Sequence, residues 1–148
     1  MRWFGAGRAQ PEPESVLRED DSLGVLALLA VLDEAVANAD RAEGLLERCS
    51  SGQRLGAADA RAGLALRVAF TQLSRWIEGM PCPGDQLLLR DHAACLIRYY
   101  LLMVSTALDA TFVPSGSRHI AIRGGRPESG TAATALTALR DELREAAT

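Results

Sequence analysis

The residues with the strongest metal-binding chemistry are two cysteines and a histidine in the middle of the chain. His92 and Cys95 are three residues apart, so a helix places both on one face, and Cys82 precedes them in a proline-rich turn. Imidazole and thiolate groups bind Zn²⁺ or Cu(I). The spacing matches no established metal motif, and a small buried thiol beside a hydrogen-bonded histidine explains the same residues. We therefore expect no cofactor or metal, with the Cys82/His92/Cys95 cluster as the alternative.

Other catalytic arrangements are excluded or weakly supported. All 16 lysine-plus-arginine residues are arginine, so Schiff-base, pyridoxal-phosphate and P-loop chemistry have no lysine to use. No glutamate lies three residues before His92 or His119, as a di-iron bundle site requires. Ser115 and Ser117 precede His119 without a nucleophile elbow. We expect a non-catalytic protein.

Arg98 is the only charged residue in the apolar run from Ala93 to Leu108. An arginine is almost never buried without a partner. Three placements stay open: an outward position beside Arg90 and Tyr99, a pair with a carboxylate of the first helix, or contact with an anionic ligand or an acidic partner. Arg98 is therefore a candidate partner-binding residue.

Two large aromatic residues, Trp3 and Phe4, lie near the start of the chain between Arg2 and Arg8. Exposed aromatic side chains beside arginine are typical of protein interfaces, and they also suit peripheral contact with a membrane surface. Packing of this segment back onto the domain is the third interpretation. We take Trp3 and Phe4 as candidate partner-binding residues.

Hydrophobic periodicity predicts the helices that must position these residues. Alanine and leucine are abundant and aromatic residues make up only 5%, which favours helices over sheets. The predicted helices run from about Ser22 to Cys49, Ala57 to Glu78, Asp85 to Ala110 and Thr131 to Ala146. Because the first connections are short, the fold prediction is an all-α, single up-and-down bundle of four helices, three long and one shorter at the C-terminal end.

Two segments fall outside the predicted helices. Residues 1–20 are predicted to form a flexible tail, because Pro11–Glu14 cannot continue a helix, and residues 21–148 the bundle domain. The connection over residues 112–130 is long and rich in glycine and proline. An extended piece within it makes Ile120, Ile122 and Arg123 candidate partner-binding residues. Since the last helix is about 24 Å long against about 40 Å for the first, we expect this connection or another protein to cover the remaining core.

The helical stripes also predict a core. The residues expected to be buried are Leu29, Leu32, Val36, Leu66, Phe70, Leu73, Leu96, Met103, Leu136 and Leu139. The third helix is apolar enough to suggest a transmembrane span. However, Arg98 lies in its middle and Arg90, Asp91 and His92 lie near its start, and charges in a lone span are costly. We predict a buried bundle helix and no transmembrane span.

Composition and charge reduce the number of functions that the chain can have. A net charge of −3 gives no basic field for nucleic acid. Three cysteines and no secretion signal at Met1–Gly5 indicate the cytoplasm, and the arginine and alanine content is typical of a GC-rich bacterial genome. We predict a non-catalytic bacterial adaptor that binds other protein chains or self-associates. The alternatives are a small-molecule- or metal-responsive regulator that uses the bundle core or the cysteine cluster, and an enzyme with a site that the sequence pattern does not identify.

Overall fold

The fold was obtained as a computed structural model, which describes residues 13–112 and 130–148. These residues form four α-helices, one 3₁₀ turn and no strand. The elements are α1 (Pro13–Ser50), α2 (Ala57–Gly79), the 3₁₀ turn (Gly84–Gln86), α3 (Leu87–Phe112) and α4 (Thr131–Ala146). Helix α1 packs against the other three helices, α3 also contacts α2 and α4, and α2 and α4 occupy opposite corners of this described part. The prediction of an all-α four-helix bundle is confirmed.

Helix α1 begins at Pro13, nine residues before the predicted start at Ser22. A proline cannot continue a helix, but it suits the first helical position, where its fixed φ is already helical and no N–H is needed. The predicted start at Ser22 rested on the first property alone. Residues 1–12 of the predicted tail lie outside the described residues.

Close contacts fix how the first three helices meet. The Asp59 carboxylate accepts the backbone N–H of Gly56 at 3.1 Å and forms an ion pair with Arg48 at 3.4 Å, which joins the end of α1 to the start of α2. In the middle of the α2–α3 interface, the Phe70 and Tyr100 rings stack with their centroids 5.4 Å apart. The Arg48–Asp59 pair fixes the register of α1 against α2, and the Phe70–Tyr100 pair fixes that of α2 against α3.

Two glycines allow the backbone to approach its neighbours closely. A β-carbon on Gly63 would overlap the Leu108 side chain and lie 3.2 Å from Leu45 Cδ2, so α1, α2 and α3 converge there. A β-carbon on Gly24 would lie 3.2 Å from the backbone oxygen of Pro81. The turn after α2 therefore rests directly on α1.

The core follows the predicted stripes on three of the four helices. Seven of the ten residues predicted to be buried are buried, and Leu29, Leu96 and Met103 are only half-buried. On α3 the buried face instead carries Leu89, Ala93, Ala94, Ile97, Tyr100, Val104 and Leu108. Because α3 is apolar on nearly every side, no polar stripe marked its outer face, and the predicted face was rotated from the real one.

Candidate interaction surface

The described cysteine and histidine residues lie on α3, at the end of α1 and in the turn before α3. Among the residues that the structure describes, no three His, Cys, Asp or Glu side chains are grouped so that they could hold a metal ion. Cys95 and His92 are exposed on α3, whereas Cys82 is half-buried in the preceding turn. Burial raises the pKa of the Cys82 thiol and outweighs the opposing effect of Arg90. Its thiolate, the form that binds metals and attacks electrophiles, is therefore disfavoured.

Arg98 points outward and pairs with Glu78 of α2. Its Nε donates to Glu78 Oε1 at 2.8 Å, and Nη2 contacts the same oxygen. The hydrogen bond to Glu78 raises the pKa of Arg98, which stays charged. An outward position was one of the three expected placements, but the carboxylate that pairs with Arg98 lies on α2 and not, as expected, on the first helix. Arg98 thus links α2 to α3 on the outer side of the bundle.

The other predicted partner-binding residues lie outside the described residues. They are Trp3 and Phe4 near the start of the chain, and Ile120, Ile122 and Arg123 in the connection before α4. Their assignment stays a prediction.

Apolar side chains are exposed on the outer sides of α2 and α3. Leu88 is 85% exposed and Leu102 is 65% exposed on α3, and Val68 is 56% exposed on α2, where Leu64 also faces solvent. Val68 lies two residues before Phe70 and Leu102 two residues after Tyr100. Because Phe70 stacks on Tyr100 and the two helices are antiparallel, Val68 and Leu102 lie at the same level. We call Leu64, Val68, Leu88 and Leu102 the α2–α3 strip. Exposed apolar patches are typical of binding surfaces, and these four side chains are candidates for one.

A groove of about 550 Å³ runs between α1 and α2. Its α2 wall is built from small side chains, which leave room between the helices. The residues that line it are Glu34, Asn38, Arg41, Leu45, Arg48, Ala62, Ala65, Leu66 and Ala69. We call this feature the α1–α2 groove. The repeated small side chains of Ala62, Ala65 and Ala69 on one side of α2 are the signal for a groove that the sequence contains.

Asn38 supplies a hydrogen-bond acceptor inside the α1–α2 groove. It is only 6% exposed and is the one buried polar residue in the described part of the chain. Its Nδ2 donates to the backbone oxygen of Glu34 at 2.9 Å, which fixes the amide orientation. Its Oδ1 accepts no hydrogen bond from the described residues. Since every fully enclosed side-chain oxygen or nitrogen there has a partner, this oxygen must face the open groove.

Trp76 stands beside the groove on the same side of α2. It follows Ala69 by seven residues, close to two full helical turns, and therefore lies about 10 Å further along the same face. Its side chain is 53% exposed, and its indole N–H makes no hydrogen bond within the described part. A large exposed aromatic side chain thus lies on the same face of α2 as the groove and its small side chains.

Two charges at the groove have no ion-pair partner in the described ranges: the Glu34 carboxylate and the Arg41 guanidinium. Both project from α1 on the side that faces α2. In contrast, Arg48 pairs with Asp59, and Asp33 on the other side of α1 pairs with Arg144 of α4 at 2.9 Å. The groove is therefore close to neutral overall but carries one unpaired charge of each sign.

Two helical stretches, Asp21–Ser50 and Gly84–Phe112, are long and apolar enough to cross a membrane. This is weak evidence for a span, because the core helices of a soluble bundle meet the same criterion. In the fold described here both stretches contribute to the core. The absence of a transmembrane span stays a prediction.

Comparison with protein-family models, curated proteins and solved structures finds no match to this chain. The function must therefore be argued from the α2–α3 strip, the α1–α2 groove and the residues around them.

Proposed function

We propose that this chain is a non-catalytic interaction protein, a helical bundle that binds other protein chains or a second copy of itself. The observation that carries the proposal is the α2–α3 strip. Four apolar side chains are exposed to solvent there, although the described bundle has its own core of leucine, valine, isoleucine and aromatic residues. Leaving such side chains exposed forgoes roughly 25 cal/mol per Å² of burial, which binding of a partner recovers.

The shape of the described surface supports protein binding more than small-molecule binding. Two depressions of about 470 and 550 Å³ on this surface are both open to solvent, and the second runs between α1 and α2. Small-molecule sites usually enclose most of the ligand surface. A helix or an exposed side chain from another protein fits an open groove between helices.

A regulator that responds to a metal or small molecule is the alternative. The metal version would need Cys82, His92 and Cys95 to converge, and they are not grouped as a metal site in the described structure. Elemental analysis of purified protein tests this version directly. One equivalent of metal, together with unfolding by a chelator, would favour the alternative over the proposal.

The proposal is tested by capturing interacting proteins from the native host with tagged protein. We expect Val68→Ser with Leu102→Ser to lose the captured partner, because both substitutions make the α2–α3 strip polar. The matched control is Gln72→Ser with Asp109→Ser, which changes two exposed polar positions on the same helices. The control should retain the partner.

The result that contradicts the proposal is equal capture by both double variants, or no specific protein with either. Flotation with anionic liposomes separates a membrane contact from a protein contact. If the wild type binds liposomes, the Val68/Leu102 variant does not, and no protein is captured, the chain is a peripheral membrane protein and not an adaptor.

A further inference from the structure

We propose that the α1–α2 groove is a homodimer interface in which Trp76 of each copy enters the groove of the other. This inference deepens the proposed function by naming one partner, a second copy of this chain, and one surface. It depends on the groove, Trp76 and the charges of α1, and not on the α2–α3 strip.

The geometry of the face makes it self-complementary. A two-fold axis that lies in the plane of the α1–α2 face and runs across the helices places each helix antiparallel over its own copy. Trp76 and the groove lie on the same line along α2, so this rotation moves Trp76 of one copy onto the groove of the other. An axis near Ala37 of α1 and Gln72 of α2 brings Trp76 to the level of Ala65 and Ala69.

The chemistry of the groove fits an indole ring. The alanines that line its α2 wall leave space for a large flat side chain. An indole N–H is a donor only, and Asn38 Oδ1 is an acceptor without a partner in the described part of the groove. Arg41 at the groove edge can lie over the ring face, an arrangement that cations and tryptophan favour.

The unpaired charges on α1 are also complementary in this arrangement. Glu34 and Arg41 are seven residues apart on one side of α1 and straddle the Ala37 level. When α1 crosses its own copy in the antiparallel direction, Glu34 of each copy approaches Arg41 of the other. Two symmetric ion pairs then form from charges that have no partner within the described monomer.

The available area is close to what a stable dimer needs. Helix α2 has 23 residues, so it is about 34 Å long, and two adjacent helices present a face about 20 Å wide. Their product, roughly 700 Å² per copy, is near the roughly 800 Å² per partner of a standard protein interface. Exposed Ala30, Ala37 and Gly44 on α1 leave the face low enough for close approach.

Sedimentation velocity over a concentration series tests the dimer. We expect Trp76→Ala, which removes the inserted side chain, and Ala65→Leu, which fills the groove, each to weaken dimerisation by at least about tenfold. Both positions are exposed, so the fold should persist, which circular dichroism checks. The matched control is Leu102→Ala, an exposed apolar residue outside this face, which should dimerise like the wild type.

A charge exchange tests the predicted register. Glu34→Arg and Arg41→Glu should each weaken the dimer because each places like charges opposite one another, whereas the double variant should restore it. A wild-type protein that stays monomeric at high concentration, or a dimer unaffected by Trp76→Ala and Ala65→Leu, would overturn the inference. Capture of another protein through the α2–α3 strip would still support the proposed function in that case, so the two failures are distinguishable.

Discussion

Tyr100 is the largest fully buried side chain in the described bundle and connects three helices. Its ring stacks on Phe70 of α2, and its hydroxyl donates to Glu43 Oε1 of α1 at 2.7 Å. Burial first, and then the hydrogen bond to Glu43, raise the pKa of Tyr100 above its ordinary value of 10. The protonated phenol is therefore part of the folded structure.

Replacing Tyr100 by phenylalanine should reveal this bond. We expect Tyr100→Phe to lower the free energy of unfolding by about 0.5–1.5 kcal/mol at neutral pH. Above pH 10 the unfolded tyrosine ionises while the folded one does not, so wild-type stability falls as the pH rises. The variant lacks this contribution, and the stability difference should narrow there. Urea titrations at several pH values measure the difference in stability between the wild type and the variant. A difference that widens above pH 10 contradicts the assignment of a protonated Tyr100 to the folded state.

Substitutions at Leu32 and Phe70 test the buried faces of α1 and α2, which were predicted correctly from the sequence. Both are fully buried, so Leu32→Ala and Phe70→Ala should each cost about 2–5 kcal/mol through lost transfer energy and a residual cavity. Val68→Ala, two residues before Phe70 but exposed, should stay within about 0.5 kcal/mol of the wild type. Denaturant unfolding measures the stability of the three variants. Equal stability of the Phe70 and Val68 variants would show that the buried face of α2 is assigned wrongly.

At the scale of elements, the distribution of charged residues determined which buried helix faces could be predicted from the sequence. Helices α1, α2 and α4 carry charged residues on one side, which marked the buried side, and the start and end of α4 agree with the prediction. Helix α3 carries few charges, so periodicity did not separate Tyr100 and Val104 from Leu96 and Met103. The α1–α2 groove could not be predicted because it depends on how two helices pack, although the spacing of its alanines and Trp76 is visible in the sequence.

Glycines in two helices test the close packing of α1, α2 and α3. Nothing lies within 4 Å of a β-carbon placed on Gly44, so Gly44→Ala should stabilise the protein by up to about 1 kcal/mol through helix propensity. Gly63→Ala gains the same propensity but forces Leu108 and Leu45 to move, and we expect a net loss of about 1–3 kcal/mol. Thermal unfolding of both variants measures the two changes in stability. Stabilisation by Gly63→Ala would contradict the close approach.

At the scale of the whole molecule, the described helices differ greatly in length. Helix α4 has 16 residues and α1 has 38, so α4 spans about 24 Å against about 57 Å. Arg140 and Arg144 of α4 both approach Asp33, which ties α4 to one part of α1. The length mismatch that motivated an interaction function in the sequence is therefore larger in the structure.

The aromatic pair at the start of the chain carries its own prediction. We expect Trp3→Ala with Phe4→Ala to weaken partner or membrane association by at least about tenfold, because two aromatic side chains contribute roughly 1.5–3 kcal/mol each before ordering costs. The free energy of unfolding should change by less than about 0.5 kcal/mol. Pull-down and liposome flotation measure association, and thermal unfolding is the check. An early-melting double variant would show that these residues belong to the core.

Site-specific photo-crosslinking in the native host tests the central claim most directly. A photoreactive phenylalanine analogue in place of Leu102 probes the α2–α3 strip, one in place of Trp76, where it keeps an aromatic ring, probes the α1–α2 groove, and one in place of the exposed Glu142 of α4 is the control. The interaction function predicts a discrete protein adduct from Leu102, and the dimer predicts a self-adduct from Trp76, with neither from Glu142. Absence of any specific protein adduct at both Leu102 and Trp76 would contradict the interaction function.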